Sequence, residues 1–120
     1  MTRVFGMHEI ELHPGIKEED FENFFLKEMA TAPMYAGWSV QLLKGDRGAR
    51  KGKYLLLFDI ETVEARDRFT AAPNQSSKEA DQFEEAYEDV WEPLFQKWNA
   101  FSPTNIALHP NYTDYIVLDK

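Results

Sequence analysis

From Arg3 to Leu12 the chain alternates (RVFGMHEIEL), placing Val4, Gly6, His8, Ile10 and Leu12 on one face of an extended strand and Phe5, Met7, Glu9 and Glu11 on the other. The pattern predicts a strand with one face buried. His13-Pro14-Gly15 breaks it, and Glu18, Glu19 and Asp20 open a helix, because the N–H groups of a first helical turn favour negative charge. Phe21, Phe24, Phe25 and Met29 recur at helical spacing and form a buried stripe that ends before Pro33.

Gly37 to Lys44 (GWSVQLLK) reads as a second strand and Lys53 to Glu61 (KYLLLFDIE) as a third, joined by a glycine-rich turn. Tyr54, Leu56, Phe58 and Ile60 share one face of the third strand, and Leu55 and Leu57 make the other face apolar over its first half. A strand apolar on both sides belongs in the middle of a sheet. Thr62 is placed to cap a short helix reaching Ala71, and Pro73 to Ser77 reads as a linker. A longer helix is predicted over Lys78–Phe101, with Phe83, Ala86, Tyr87, Val90, Leu94, Trp98 and Phe101 along its stripe and Trp91 and Phe95 widening it. Pro93 cannot donate to the carbonyl of Asp89, so the kink or break is expected there. Ser102 to Asn111 has turn chemistry, and Tyr112 to Leu118 (YTDYIVL) closes the chain as a last strand.

Strand, helix, strand, strand, helix, strand is the split βαβ order of ferredoxin-like folds. The expected architecture is one α+β domain over all 120 residues, a four-stranded antiparallel sheet with its helices on one face. The uncovered face would carry Phe5, Met7, Leu43, Leu55, Leu57, Ile116 and Leu118 beside Glu9, Glu11, Gln41 and Asp59. So apolar a face calls for a covering partner, and a second copy of the chain is the expected one.

The first strand closing on Leu12-His13-Pro14-Gly15, the Glu-rich helix start with paired phenylalanines, and the strand-to-helix passage YLLLFDIETVEARDRF (54–69) resemble the dimeric α+β barrel superfamily. That superfamily includes antibiotic-biosynthesis-type monooxygenases, NIPSNAP-like proteins and small stress-responsive barrel proteins. The resemblance implies a homodimer with two sheets face to face, and a ligand cavity between each sheet and its helices. It implies no shared catalytic residue set.

Charge and composition narrow the function classes. With 21 acidic against 13 basic residues the net charge is −8, which disfavours nucleic acid and anionic membranes as partners. There is no cysteine, which removes thiol catalysis, iron–sulfur clusters and disulfides and suits a reducing, cytoplasmic location. The longest wholly apolar run, Tyr54 to Phe58, is too short to cross a bilayer. The turn Lys44–Lys53 (KGDRGARKGK) holds five basic residues and one acid, reading as a solvated hairpin tip or as a guide for an anionic substrate or an acidic partner helix.

His8 is the candidate catalytic residue, since Gly6 beside it leaves room for a ligand and an imidazole titrates near neutrality. Trp38, Tyr54 and Tyr115 are the candidate ligand-binding walls of an aromatic cavity on the same face. The alternative is that His8 and these rings are ordinary core. Glu9, Glu11, Asp59 and Glu61 fall on the opposite face as rim carboxylates, and His13 and His109 sit beside prolines in turns. The three histidines have no HxH or HxxxH spacing, so no metal is expected. No dinucleotide fingerprint or nucleophile elbow is present, so no cofactor is expected. The functional expectation is an enzyme acting on a small apolar or aromatic compound, a cofactor-independent monooxygenase or isomerase. The alternative is a non-catalytic ligand-binding or stress-related dimer. A haem-degrading variant ranks third, because the position on a helix near the cavity where its histidine ligand is expected is empty.

Overall fold

The computed structural model describes residues 2–72, 75–103 and 112–118. In chain order it holds β1 (Val4–Ile10), α1 (Glu18–Phe24) continued by a π-helical turn (Phe25–Met29), β2 (Trp38–Lys44), β3 (Tyr54–Ile60) and α2 (Val63–Phe69). There follow β4 (Thr70–Ala72), β5 (Gln75–Ser76), α3 (Lys78–Ala86), α4 (Glu88–Phe101) and β6 (Tyr112–Ile116). Four strands form one antiparallel sheet in the order β2-β3-β1-β6, an α+β arrangement compatible with a ferredoxin-like fold. β3 lies between β2 and β1, as its two apolar faces require.

Register fixes the faces, because residues directly opposite one another in a sheet point the same way. Val4, Gly6, His8 and Ile10 stand opposite Ile60, Phe58, Leu56 and Tyr54, and all eight are buried. Against this inner face pack Phe21, Phe24, Phe25 and Met29 from the first helix and Leu94 and Trp98 from α4. The outer face holds Phe5, Met7, Leu55 and Leu57 half-buried and Leu43 exposed.

The π turn has a packing reason. The Ala30 N–H donates to the Phe25 carbonyl at 2.8 Å, five residues back, and the wider turn keeps Phe25 and Met29 on the buried side of the helix. Thr62 caps α2 as expected, its hydroxyl accepting from the Ala65 N–H at 3.0 Å. α2 stops at Phe69, short of Ala71, because Thr70 is already extended and pairs with Ser76 in a small β4–β5 ribbon. That ribbon stands where a linker is predicted; Pro73 and Asn74 lie outside the described residues. Ser77 then caps α3, accepting from the Ala80 N–H at 3.1 Å.

The long helix breaks at Tyr87 (φ −116°, ψ 21°), which corrects the expectation of a break at Pro93. Pro93 lies inside α4. The two halves pack against different neighbours. Phe83 of α3 packs edge-on against Tyr35 at 4.9 Å, and Tyr35 stacks on Phe69 at 4.3 Å. Trp98 of α4 meets Phe21 over the sheet at 5.5 Å. One straight helix cannot serve both, so the chain turns between them and leaves Val90 and Phe95 exposed. The predicted turn after Ser102 lies outside the described residues from 104 to 111.

β6 is shorter than its apolar sequence suggests, ending at Ile116, and Leu118 is exposed. Its pairing of Ile116 with Val4 puts Ile116 in the inner-face register, a correction to its expected place on the outer face. Tyr115 stands opposite Phe5 and takes the outer place instead.

Candidate functional site

His8 sits at the centre of the inner face, between Leu56 of β3 and Tyr112 of β6, and is fully buried. Its ring meets the Tyr112 ring edge to face, with centroids 6.2 Å apart. The missing side chain of Gly6 does leave room beside it, and the Tyr112 hydroxyl takes that room: a Cβ at Gly6 would lie 2.0 Å from it. The hydroxyl donates to Asp114 Oδ1 at 2.5 Å, and Asp114 Oδ2 faces Arg66 Nη1 of α2 at 3.6 Å. Burial first, and the Asp114 carboxylate second, push the Tyr112 phenol well above its ordinary value. It therefore stays protonated at neutral pH and donates the hydrogen bond to Asp114. The Asp114 and Arg66 side chains keep about a quarter of their surface exposed, 27% and 25%, so solvent reaches this polar chain from the β6 edge.

The three aromatic residues expected around His8 are divided. Trp38 is level with Ile60 and Tyr54 with Ile10, at opposite ends of the inner face and roughly 20 Å apart along the strands at ~3.3 Å per residue. Trp38 packs against Tyr35 and Phe58 and donates its indole N–H to the Ala65 carbonyl at 3.0 Å. Tyr115 is on the outer face and 52% exposed, so its expected place on the His8 face is corrected. Tyr112, which touches His8, and Asp114 and Arg66, which are linked to it in turn, were passed over by the sequence reading. A glycine in mid-strand is the signal for them, since a neighbouring ring must fill the space it leaves.

Tyr54 belongs to a second polar group. Its buried ring carries a hydroxyl that donates to the Glu22 carboxylate, and Lys44 Nζ lies 3.3 Å from Glu22 and 3.6 Å from Glu18. The Tyr54 hydrogen bond, with Lys44 behind it, holds the Glu22 carboxyl below its ordinary value, and burial followed by Glu22 raises the Tyr54 phenol. The group ties α1 to β3.

The basic turn is organised by its own backbone. Gly45 N–H donates to the Lys53 carbonyl and Gly52 N–H to the Gly45 carbonyl, each at 2.8 Å. A side chain at Gly45 would strike the Arg50 carbonyl at 2.0 Å. Arg50 reaches back to the Tyr54 carbonyl at 3.0 Å and to Glu9 at 3.5 Å, while Arg47 is 95% exposed. The turn's described ion pairs to the body therefore go to Glu9, Glu18 and Glu22.

An open groove of about 410 Å³ separates α1 from α4, with Phe24 and Phe101 on its floor and Asp20, Lys27, Glu28 and Lys97 on its rim. His13 closes the adjoining loop, its Nε2 2.9 Å from the Asn99 carbonyl oxygen; His109 lies outside the described residues. Among the described residues no three of His, Asp and Glu converge as metal ligands, and no helix is long and apolar enough to cross a membrane. Comparison with protein-family models, curated proteins and solved structures finds no match to this chain in any of the three.

Proposed function

We propose that the protein is a homodimeric small-molecule-binding protein of the dimeric α+β barrel type, with two copies joined through their outer sheet faces and a ligand held on each helix-covered face beside His8. One observation carries the dimer. Phe5, Met7, Leu55 and Leu57 form a half-buried apolar strip with Leu43 and Tyr115 exposed at its flanks, and the ion pairs Arg3–Asp59 and Glu9–Arg50 bracket it at both ends of β1. An apolar centre with a charged rim is the composition of a protein interface. Light scattering at micromolar concentration is expected to give twice the mass of one chain, and a stable monomer overturns the reading.

Binding is favoured over catalysis because the phenol beside His8, that of Tyr112, is engaged by Asp114 and held protonated. A second reading, an enzyme acting on an apolar or aromatic compound with His8 as general base, draws on the adjacency of buried His8 to the Tyr112–Asp114–Arg66 chain. Turnover that survives His8→Gln and Tyr112→Phe alike would remove it.

A further inference from the structure

The space above Gly6 has the form of a phenol because the side chain of Tyr112 lies in it. The hydroxyl takes the place of a residue-6 side chain, Asp114 accepts its hydrogen bond at 2.5 Å, and the ring meets His8 and Phe58, each with centroids 6.2 Å away. Tyr112 is the first residue of β6, which among the described residues pairs with β1 alone, and its side chain is half-buried. A rotamer change at such a position moves the ring outward without touching the backbone ladder. The acceptor stays behind when it does, because Arg66 holds the other oxygen of Asp114 at 3.6 Å.

We propose that this space is a binding site for a small phenol, which displaces the Tyr112 side chain, donates its hydroxyl to Asp114 and lays its ring over Gly6 against His8 and Phe58. The proposal rests on the small-molecule reading above and is independent of the dimer. Asp114 sets the ligand class. With the tyrosine hydroxyl withdrawn, Asp114 is left to Arg66 and solvent, so a phenol that restores the hydrogen bond is preferred to a hydrocarbon of the same shape, and an aromatic carboxylate is repelled. Tyr112 competes for the site, so the apparent affinity of the native protein is reduced by the fraction of time the ring is in place.

Titration with 4-methylphenol, toluene and benzoate, read by melting temperature and by the imidazole NMR signals of His8, tests this in the native protein, Tyr112→Ala and Asp114→Asn. The native protein is expected to bind 4-methylphenol weakly with a shift at His8. Tyr112→Ala should bind it at least about tenfold more tightly, since the competing ring is gone. Asp114→Asn should abolish its advantage over toluene. Tyr112→Phe, which keeps the ring and loses the bond to Asp114, should move affinity in the same direction and serves if Tyr112→Ala does not fold. Unchanged affinity in both Tyr112 variants overturns the proposal. Toluene binding as tightly as 4-methylphenol with the same His8 shift overturns the phenol site and leaves the small-molecule reading standing, whereas no shift at His8 with any of the three compounds removes both.

Discussion

The Tyr112 hydroxyl occupies the place in the inner face that a side chain on Gly6 would take: a methyl group there would come within 2.0 Å of the oxygen. Gly6→Ala is therefore expected to destabilise the fold by about 1–3 kcal/mol, the range for overpacking a filled site. Much of that loss should return in Gly6→Ala with Tyr112→Ala, giving a coupling of at least ~1 kcal/mol in a double-mutant cycle followed by urea unfolding. Additive losses would show that the ring does not depend on the glycine.

Leu57 stands in the middle of the outer face, opposite Met7 on one side and Gln41 on the other. Leu57→Asp places a charge in the centre of the apolar strip, where a second copy would leave it without a counter-ion. Light scattering should show monomer or aggregate, with the circular dichroism of the soluble fraction unchanged. A variant that stays dimeric places the interface elsewhere.

The Tyr54–Glu22 hydrogen bond makes stability sensitive to pH from both ends. Glu22 is held below its ordinary value near 4.5, so the stability it contributes is full above that pH and is lost as pH falls through its lowered value. Tyr54 is raised above its ordinary value of 10.0, so its contribution is full below pH 10 and is lost as pH rises through the raised value. Tyr54→Phe should lower stability at pH 7 by about 1 kcal/mol, a modest figure because Glu22 is partly solvated. It should also flatten the melting curve against pH in the acid range. An unchanged acid limb would assign that limb to other carboxylates.

Within the basic turn, Arg50 and Arg47 separate cleanly. Arg50 bonds the Tyr54 carbonyl and faces Glu9, whereas Arg47 is 95% exposed and faces only Asp46, its equally exposed neighbour. Arg50→Ser is expected to lower stability by about 1 kcal/mol and Arg47→Ser to leave it within about 0.5 kcal/mol, by thermal unfolding. Equal effects would mean that the turn acts through net charge alone.

Most of the element order was legible because each signal is local. Alternation in RVFGMHEI can satisfy only a strand with one buried face, Thr62 can cap the helix after it without any tertiary help, and YLLLF is too apolar for an edge. The break at Tyr87 was not legible. The apolar spacing runs on unbroken through Phe83, Tyr87, Val90 and Leu94, and Pro93 offers a nearer excuse for a kink. The turn is placed by Tyr35 and Phe69, distant in sequence, which hold α3 away from the sheet.

The candidate site divides in the same way. Gly6 and His8 could be read as neighbours on one face from the two-residue period of a strand alone, and the burial of both follows from it. Which tyrosine joins them is a matter of register. In YTDYI either face can carry a tyrosine, so local pattern assigns Tyr115 inward as readily as Tyr112. Pairing of Val4 with Ile116 decides for Tyr112, brings Asp114 opposite Gly6, and sends Tyr115 to the outer face. A shift of one residue exchanges every side chain between the faces, and the long-range ladder that excludes it forms only when β6 returns to the edge of β1.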